Sequence, residues 1–452
     1  MRKISNYKEK LLHKKREKKE FKRRRIGSVR YGNTIQKLNK FKKNNDILIL
    51  SKSSFSLDTF FSKNEFNNWK YFEQKINIPH EFQLEFNYAD TMDTISLIRK
   101  TILENKGKKI FIDFSNCKKV DFAALFLMKI VIEETVHYLT TLNHRLSYFN
   151  INPRIKIIHS KKEKVNLKLL ANEIIPDAYS SENDFIPISY LNLIRGRKNQ
   201  RHYTENKKGV AVTKIKKYIN GILREHGVEF NEEGGNNFEG LLTEILGNAE
   251  DHNSFDYWYV FGNFFRTNKT KNIKEVIGEI NLAIINFGSS IYEGFEETKN
   301  ENIDVYSAME SLYEKSKNNS NYFTKENYFT LFALQEGISR LKHKEPSRGT
   351  GTIKFIESFL YLGDYEDKTK NFHPRMLIYS GNTLVKCDNE HKPFEQNGNR
   401  KISLNKEKNL NVSPDKSHLK KLNRKFPGTL IVSKIYLSES HLKNKISNNE
   451  RK

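Results

Sequence analysis

The 452-residue sequence predicts an α+β fold, with a C-terminal sandwich of a mixed, largely antiparallel sheet under helices. Three observations predict it. After residue 205, strand-like apolar runs alternate with amphipathic helical stretches. Between residues 109 and 138, a strand, a short loop and a helix follow one another and mark a smaller α/β unit. Ahead of both lies a concentration of positive charge. Residues 1–45 carry 18 Lys and Arg against three Glu, so a net 15 of the chain's +25 charges sit there.

These features divide the chain into a basic, flexible tail (1–45), a small α/β domain (46–200), a sandwich domain (205–440) and a short polar tail (441–452). In the first segment, the dense runs Lys14-Lys15-Arg16 and Lys22-Arg23-Arg24-Arg25 can neutralise phosphates and release counterions. Aromatic residues for base stacking are sparse there. Two readings stay open, a nonspecific contact with nucleic acid or an acidic protein and a solvated arm that aids solubility, while sequence-specific recognition is not expected. The two cysteines, Cys117 and Cys387, have no CxxC neighbour. That argues against a disulfide scaffold or a cysteine-based zinc site and fits a reducing cytoplasm. Apolar runs are too short to span a bilayer, so no membrane partner is expected.

In the α/β unit, Lys109-Ile110-Phe111-Ile112-Asp113-Phe114 has strand alternation. The stretch 121–138 places Leu125, Met128, Val131 and Ile132 at helical spacing, and 154–158 is a second strand. Residues 47–50 suggest an earlier one. Further on, 212–226 is helical and stops at Gly227, a suitable C′ residue. A Gly/Asn-rich turn at 233–237 precedes a helix over 238–252. Strands are expected at 257–265 and 279–287, and helices at 306–317 and 328–341. A hairpin is expected at 375–379 and 383–386 around Gly381-Asn382, and a last strand at 428–437.

Four stretches carry candidate chemistry. On the helix Glu244-Ile245-Leu246-Gly247-Asn248-Ala249-Glu250-Asp251-His252, positions 244, 248 and 252 share one face. A carboxylate there can take a proton, and an amide oxygen one turn on can ligate Mg²⁺. In Ile284-Ile285-Asn286-Phe287-Gly288-Ser289-Ser290, an apolar strand ends in a polar side chain able to meet a base edge, with a glycine beside it. In Ser347-Arg348-Gly349-Thr350-Gly351-Thr352, small residues open a helix whose free N–H groups and dipole suit a phosphate. In Gly428-Thr429-Leu430, a strand begins with a hydroxyl. Each alone is a weak signal, since polar residues one turn apart commonly make a solvated face and glycines mark any tight turn.

In order and spacing the four stretches resemble the GHKL (Bergerat-fold, histidine-kinase-like) ATPase superfamily. They match its N box (ExxxNAxxH), its two glycine boxes and its closing GT strand, with the anti-sigma-factor kinases most alike. The resemblance covers about half of the chain and implies ATP and Mg²⁺ as ligands. It makes Glu244 the general base and Asn248 the Mg²⁺ ligand. It brings His252, Asn286, Gly288, Arg348, Gly349, Thr350, Gly351 and Thr429 to ATP. It makes 296–346 a mobile lid, at whose end Lys342, Lys344 and Arg348 could reach the γ-phosphate, with a surface role equally open for the two lysines. Two departures stand out: the family's adenine-reading Asp is Asn286, and its next glycine is Ser290. The 109–138 unit more weakly resembles the STAS fold of anti-sigma-factor antagonists. Its phosphoacceptor position there holds Ala123, within Asp121-Phe122-Ala123-Ala124, and has no hydroxyl.

The expected function is a Mg²⁺-dependent ATPase acting as a bacterial cytoplasmic switch on a protein partner, with oligomeric state left open. The alternatives are a serine/threonine kinase acting on a partner, or a non-hydrolysing nucleotide scaffold in a phage-defence setting. A histidine autokinase is disfavoured, because no helical dimerisation segment with an HE-type phosphoacceptor precedes the site.

Overall fold

Apolar side chains fall on both faces of the C-terminal strands, and that pattern decides the architecture. Trp258, Val260 and Leu282 point to one buried cluster, while their neighbours Tyr259, Phe261 and Ala283 point to another. A strand alternates its side chains between faces, so a sheet of this kind must be covered on both sides. The computed structural model describes residues 75–105, 109–146, 154–175, 188–197, 207–251, 253–266, 277–317, 322–340, 349, 351–362 and 373–438.

The N-terminal unit comprises β1 (Lys75–Asn77), β2 (Glu81–Phe82), α1 (Tyr88–Glu104), β3 (Lys109–Asp113), β4 (Lys119–Val120), α2 (Phe122–Leu146), β5 (Arg154–Ile158) and α3 (Glu163–Ala171). Its parallel sheet has the order β1-β3-β5, with a second parallel pair β2-β4. Asp121 starts α2 by accepting the N–H of Ala124 at 2.7 Å.

The remainder comprises β6 (Ile188–Arg197), α4 (Lys207–Glu225), α5 (Glu232–Asp251), β7 (Asn253–Arg266), β8 (Gly278–Gly288), α6 (Ile291–Glu297), α7 (Ile303–Lys317), α8 (Lys325–Phe332), α9 (Gly351–Leu362), β9 (Arg375–Asp388), β10 (Phe394–Gln396), β11 (Asn399–Lys401) and β12 (Leu419–Leu437). Five strands form a sheet of order β6-β7-β8-β12-β9. Every pairing in it is antiparallel. The class is thus α+β as expected, with the parallel pairings confined to the N-terminal unit. Strand β6 falls inside the segment numbered 46–200, yet it pairs with β7.

Helices α4, α5 and α9 cover one face of this sheet, where Ile215, Leu242, Ile245 and Ile356 meet Val260, Leu282 and Ile378. The N-terminal unit covers the other face. Phe122 and Phe126 of α2 stack on Phe261, each with ring centroids 5.9 Å apart. Arg375 pairs with Glu85 at 2.7 Å, and Arg195 with Glu134 at 3.1 Å. Among the described residues no helix is long and apolar enough to cross a membrane.

Three local expectations are corrected. The Gly/Asn-rich run at 233–237 is not a turn but the opening of α5, because the Asn231 side chain accepts the N–H of Gly234 at 2.7 Å and caps it. Residues 375–388 form one continuous strand rather than a hairpin. A two-residue type I′ turn needs positive φ at both central residues. Among non-Gly residues, Asn382 is not one of those with positive φ, and Gly381 (φ 55°) instead faces an irregularity in β12. Glu326 accepts the N–H of Asn382 at 2.8 Å and holds the strand there. The helix expected over 328–341 ends at Phe332, where Gln335 turns out to bond the backbone of Ile402. The strand expected at 47–50 and both tails lie outside the described residues.

Candidate functional site

The apolar stripe of α5 seats it on the sheet, and Glu244 and Asn248 at the edge of that stripe, with Ile245 and Ala249, face a cavity of about 90 Å³. Glu244 and Asn248 line it from α5, Asn286 from β8, Thr429 from β12 and Gly349 from the approach to α9. Apolar walls come from Ile245, Ile284, Ile378 and Ile431. Five of the residues expected to act together therefore surround one space.

Asn286 and Thr429 are directly opposed in the β8–β12 register. Gly428, at φ 126°, makes this possible: a Cβ there would lie 2.2 Å from the backbone oxygen of Asn286. Asn286 is only 4% exposed, and its Nδ2 has no hydrogen-bond partner. A buried amide left unpaired costs about 1–3 kcal/mol, so this side chain is suited to a polar ligand edge.

Gly351 opens α9, and its N–H donates to Glu244 Oε1 at 2.5 Å. A Cβ at Gly351 would fall 2.0 Å from the carboxyl carbon of Glu244, so only glycine lets helix and carboxylate meet this closely. The free N–H groups of a helix N-terminus attract an anion, and here that of Gly351 meets the carboxylate expected to act as base. Gly288 ends β8 opposite Asn253, away from the cavity lining. His252, Arg348, Thr350, Lys342 and Lys344 lie outside the described residues.

Two contributors were not foreseen. Ser380 of β9 is bonded to Thr429, hydroxyl to hydroxyl, at 3.0 Å, and accepts the N–H of Ile291 at 2.8 Å. It ties the floor of the cavity to α6, and its partners are too distant in sequence for any local signal. Arg340 lines the cavity, with its guanidinium donating to the backbone oxygen of Asp251 and lying 3.7 Å from Glu297. Ser290, which stands where the resemblance expects glycine, has a positive role: it caps α6 in a reciprocal capping box with Glu293. Burial pushes the Glu293 carboxyl up, but the Lys425 ammonium and the Ser290 bonds outweigh it and hold that group below the usual carboxylate range.

No protein-family model, curated protein or solved structure matches the chain. The functional reading therefore rests on the residues themselves.

Proposed function

We propose that the chain is a GHKL-type ATP-binding protein that turns over its nucleotide with Mg²⁺. The observation that carries this reading is the convergence of Glu244, Asn248, Asn286, Gly349 and Thr429 on one cavity. They come from four widely spaced stretches of sequence, so local patterning alone does not explain it.

Asn286 and Thr429, the latter held by Ser380 from behind, form the polar floor on which a purine edge would lie, between the Ile284, Ile378 and Ile431 walls. An amide can both accept from an exocyclic amine and donate to a ring nitrogen, so Asn286 suits adenine as a neutral partner. The opening of α9 would receive phosphate oxygens on backbone N–H groups, and Arg340 adds positive charge at the cavity wall. Asn248, which lines the cavity, would hold Mg²⁺, which when bound neutralises phosphate charge. Glu244 would take the proton from the attacking water or hydroxyl. The N-terminal unit, whose 109–138 stretch weakly resembles the STAS fold, would act as a docking module. Its Ala123 is buried and has no hydroxyl to phosphorylate.

The test is incubation of purified protein with γ-labelled ATP, Mg²⁺ and candidate partner proteins, scored for free phosphate against labelled protein. Released phosphate is expected, with Glu244→Gln slower by roughly 10²- to 10⁴-fold, the worth of a positioned base, and with nucleotide binding retained. Label on a partner hydroxyl would identify a kinase. Equal turnover in both proteins would remove Glu244 from the chemistry.

A further inference from the structure

Between β9 and β12 the chain makes an excursion over residues 389–418. Its regular structure is one 3-10 turn (Asn389–His391) and the two short strands β10 and β11. At the base of this excursion lie two buried imidazoles, His391 at 6% and His418 at 1% exposure, with ring centroids 4.5 Å apart. Carboxylates converge on them. His391 Nε2 is 2.7 Å from Asp415 Oδ2. His418 Nε2 is 3.1 Å from Asp388 Oδ1 and 3.6 Å from Glu390 Oε2.

One ligand atom from each of His391, Asp415 and His418 lies within 4.8 Å of the other two, and the same holds for Asp388, Glu390 and His418. We propose that this cluster binds one divalent ion of the zinc class through His391, His418 and Asp415, with Asp388 as the carboxylate beside His418.

Three arguments lead to a transition metal. The first is spacing. Ligand atoms held about 2.1 Å from a tetrahedral ion stand about 3.4 Å from one another. Within the pairs His391–Asp415 and His418–Asp388 the separations are 2.7 and 3.1 Å, just under that value, and the ligand atoms of His391, Asp415 and His418 lie within 4.8 Å of one another. Charge is the second. Asp388, Glu390 and Asp415 bring three negative charges, and Lys386, 2.9 Å from Asp388, returns one. With neutral imidazoles the cluster is short of two positive charges, which a divalent ion supplies. The third is donor type. Imidazole nitrogen favours zinc, copper or nickel over magnesium or calcium, which prefer oxygen. Ser417 Oγ holds the other ring nitrogen of His418, Nδ1, at 2.8 Å, the kind of outer hydrogen bond that fixes a ligating imidazole.

The ion would have a structural task. From the excursion, Ile402 exchanges two hydrogen bonds with the Gln335 side chain, at 2.9 and 3.0 Å, and the N–H of Arg400 donates to Glu336 at 2.7 Å. The residues just beyond, Ile338 to Arg340, line the nucleotide cavity. Clamping the base of the excursion thus fixes one wall of that cavity. The binding itself does not depend on the nucleotide reading.

The experiment uses tag-free, full-length protein without nucleotide. After loading and desalting, elemental analysis should find about one zinc per chain. Cobalt(II) should give the visible absorption of a tetrahedral nitrogen–oxygen site. Zinc should raise the thermal midpoint and a chelator should lower it, while millimolar Mg²⁺ should not compete. Asp415→Asn, nearly isosteric and only partly buried, should weaken cobalt binding by about a hundredfold or more, beyond the 10–100-fold effect of outer partners. Absence of stoichiometric zinc, of the cobalt band and of any midpoint change in the wild-type protein would overturn the proposal, leaving two histidine–carboxylate pairs. A folded Asp415→Asn protein that binds cobalt as tightly as wild type would overturn it as well.

Discussion

Glu244 accepts the backbone N–H of Gly351 at 2.5 Å, joining the middle of α5 to the first residue of α9. The contact places a carboxylate at the positive end of a helix, in direct competition with any other anion for that N–H. A phosphate arriving at α9 and the proposed base are therefore coupled through one hydrogen bond.

Gly351→Ala tests that coupling. The new Cβ collides with the Glu244 carboxyl group, whose flexible side chain swings aside, so folding should survive. Loss of a charge-assisted hydrogen bond should cost about 1.5–3 kcal/mol in urea unfolding. Turnover should fall together with stability. A variant as stable and as active as wild type would show that the contact carries neither.

Asn286→Leu separates stability from binding. The substitution removes the amide whose Nδ2 is buried without a partner. Relief of an unpaired polar group, about 1–3 kcal/mol, should raise the urea midpoint while nucleotide no longer shifts it. Such a trade is expected where a group is kept for its ligand. A destabilised variant that still binds nucleotide would reverse the assignment.

The capping box of α6 predicts a pH effect. The Glu293 carboxyl titrates below its unfolded value, against burial, because Lys425 and Ser290 favour its charged form. A depressed folded pKa gives stability that is present above the unfolded value of about 4.3. That stability is lost as pH falls through the folded value. The difference in thermal midpoint between wild type and Glu293→Gln should therefore be positive near pH 7 and shrink below about pH 4. A difference that stays constant down to pH 3 would contradict the pairing.

How much was legible in the sequence depended on how local the signal was. Glu244 and Asn248 share a face because helical spacing dictates it, and Asn286 and Thr429 were marked by apolar strands meeting glycines. Ser380 was not marked, because its bond to Thr429 runs across neighbouring strands joined only by the long excursion over 389–418. The Gly381-Asn382 pair has hairpin composition, yet contact with Glu326 on α8 overrides that preference. Burial of the second sheet face was present in the strands themselves, as the apolar run Tyr259 to Phe261, but its cover came from α2, far earlier in the chain. The histidine cluster escaped notice because His391 and His418 lack a short ligand spacing and meet only when β9 and β12 pair.

Deletion of residues 1–45 should leave any nucleotide-induced stabilisation unchanged and abolish salt-sensitive binding to DNA, RNA or an acidic protein, measured by retention at rising salt. Loss of folding on deletion would instead make the tail a structural element.

The central claim is nucleotide binding, and thermal unfolding with a non-hydrolysable ATP analogue and Mg²⁺ tests it most directly. A ligand bound only by the folded chain stabilises it by about 2.7 kcal/mol at a hundred times its dissociation constant. The midpoint of the wild-type protein should rise with nucleotide concentration, and Asn248→Ala should remove the Mg²⁺-dependent part of the rise. A midpoint that does not move at millimolar nucleotide, with or without Mg²⁺, would contradict the assignment of this cavity to ATP.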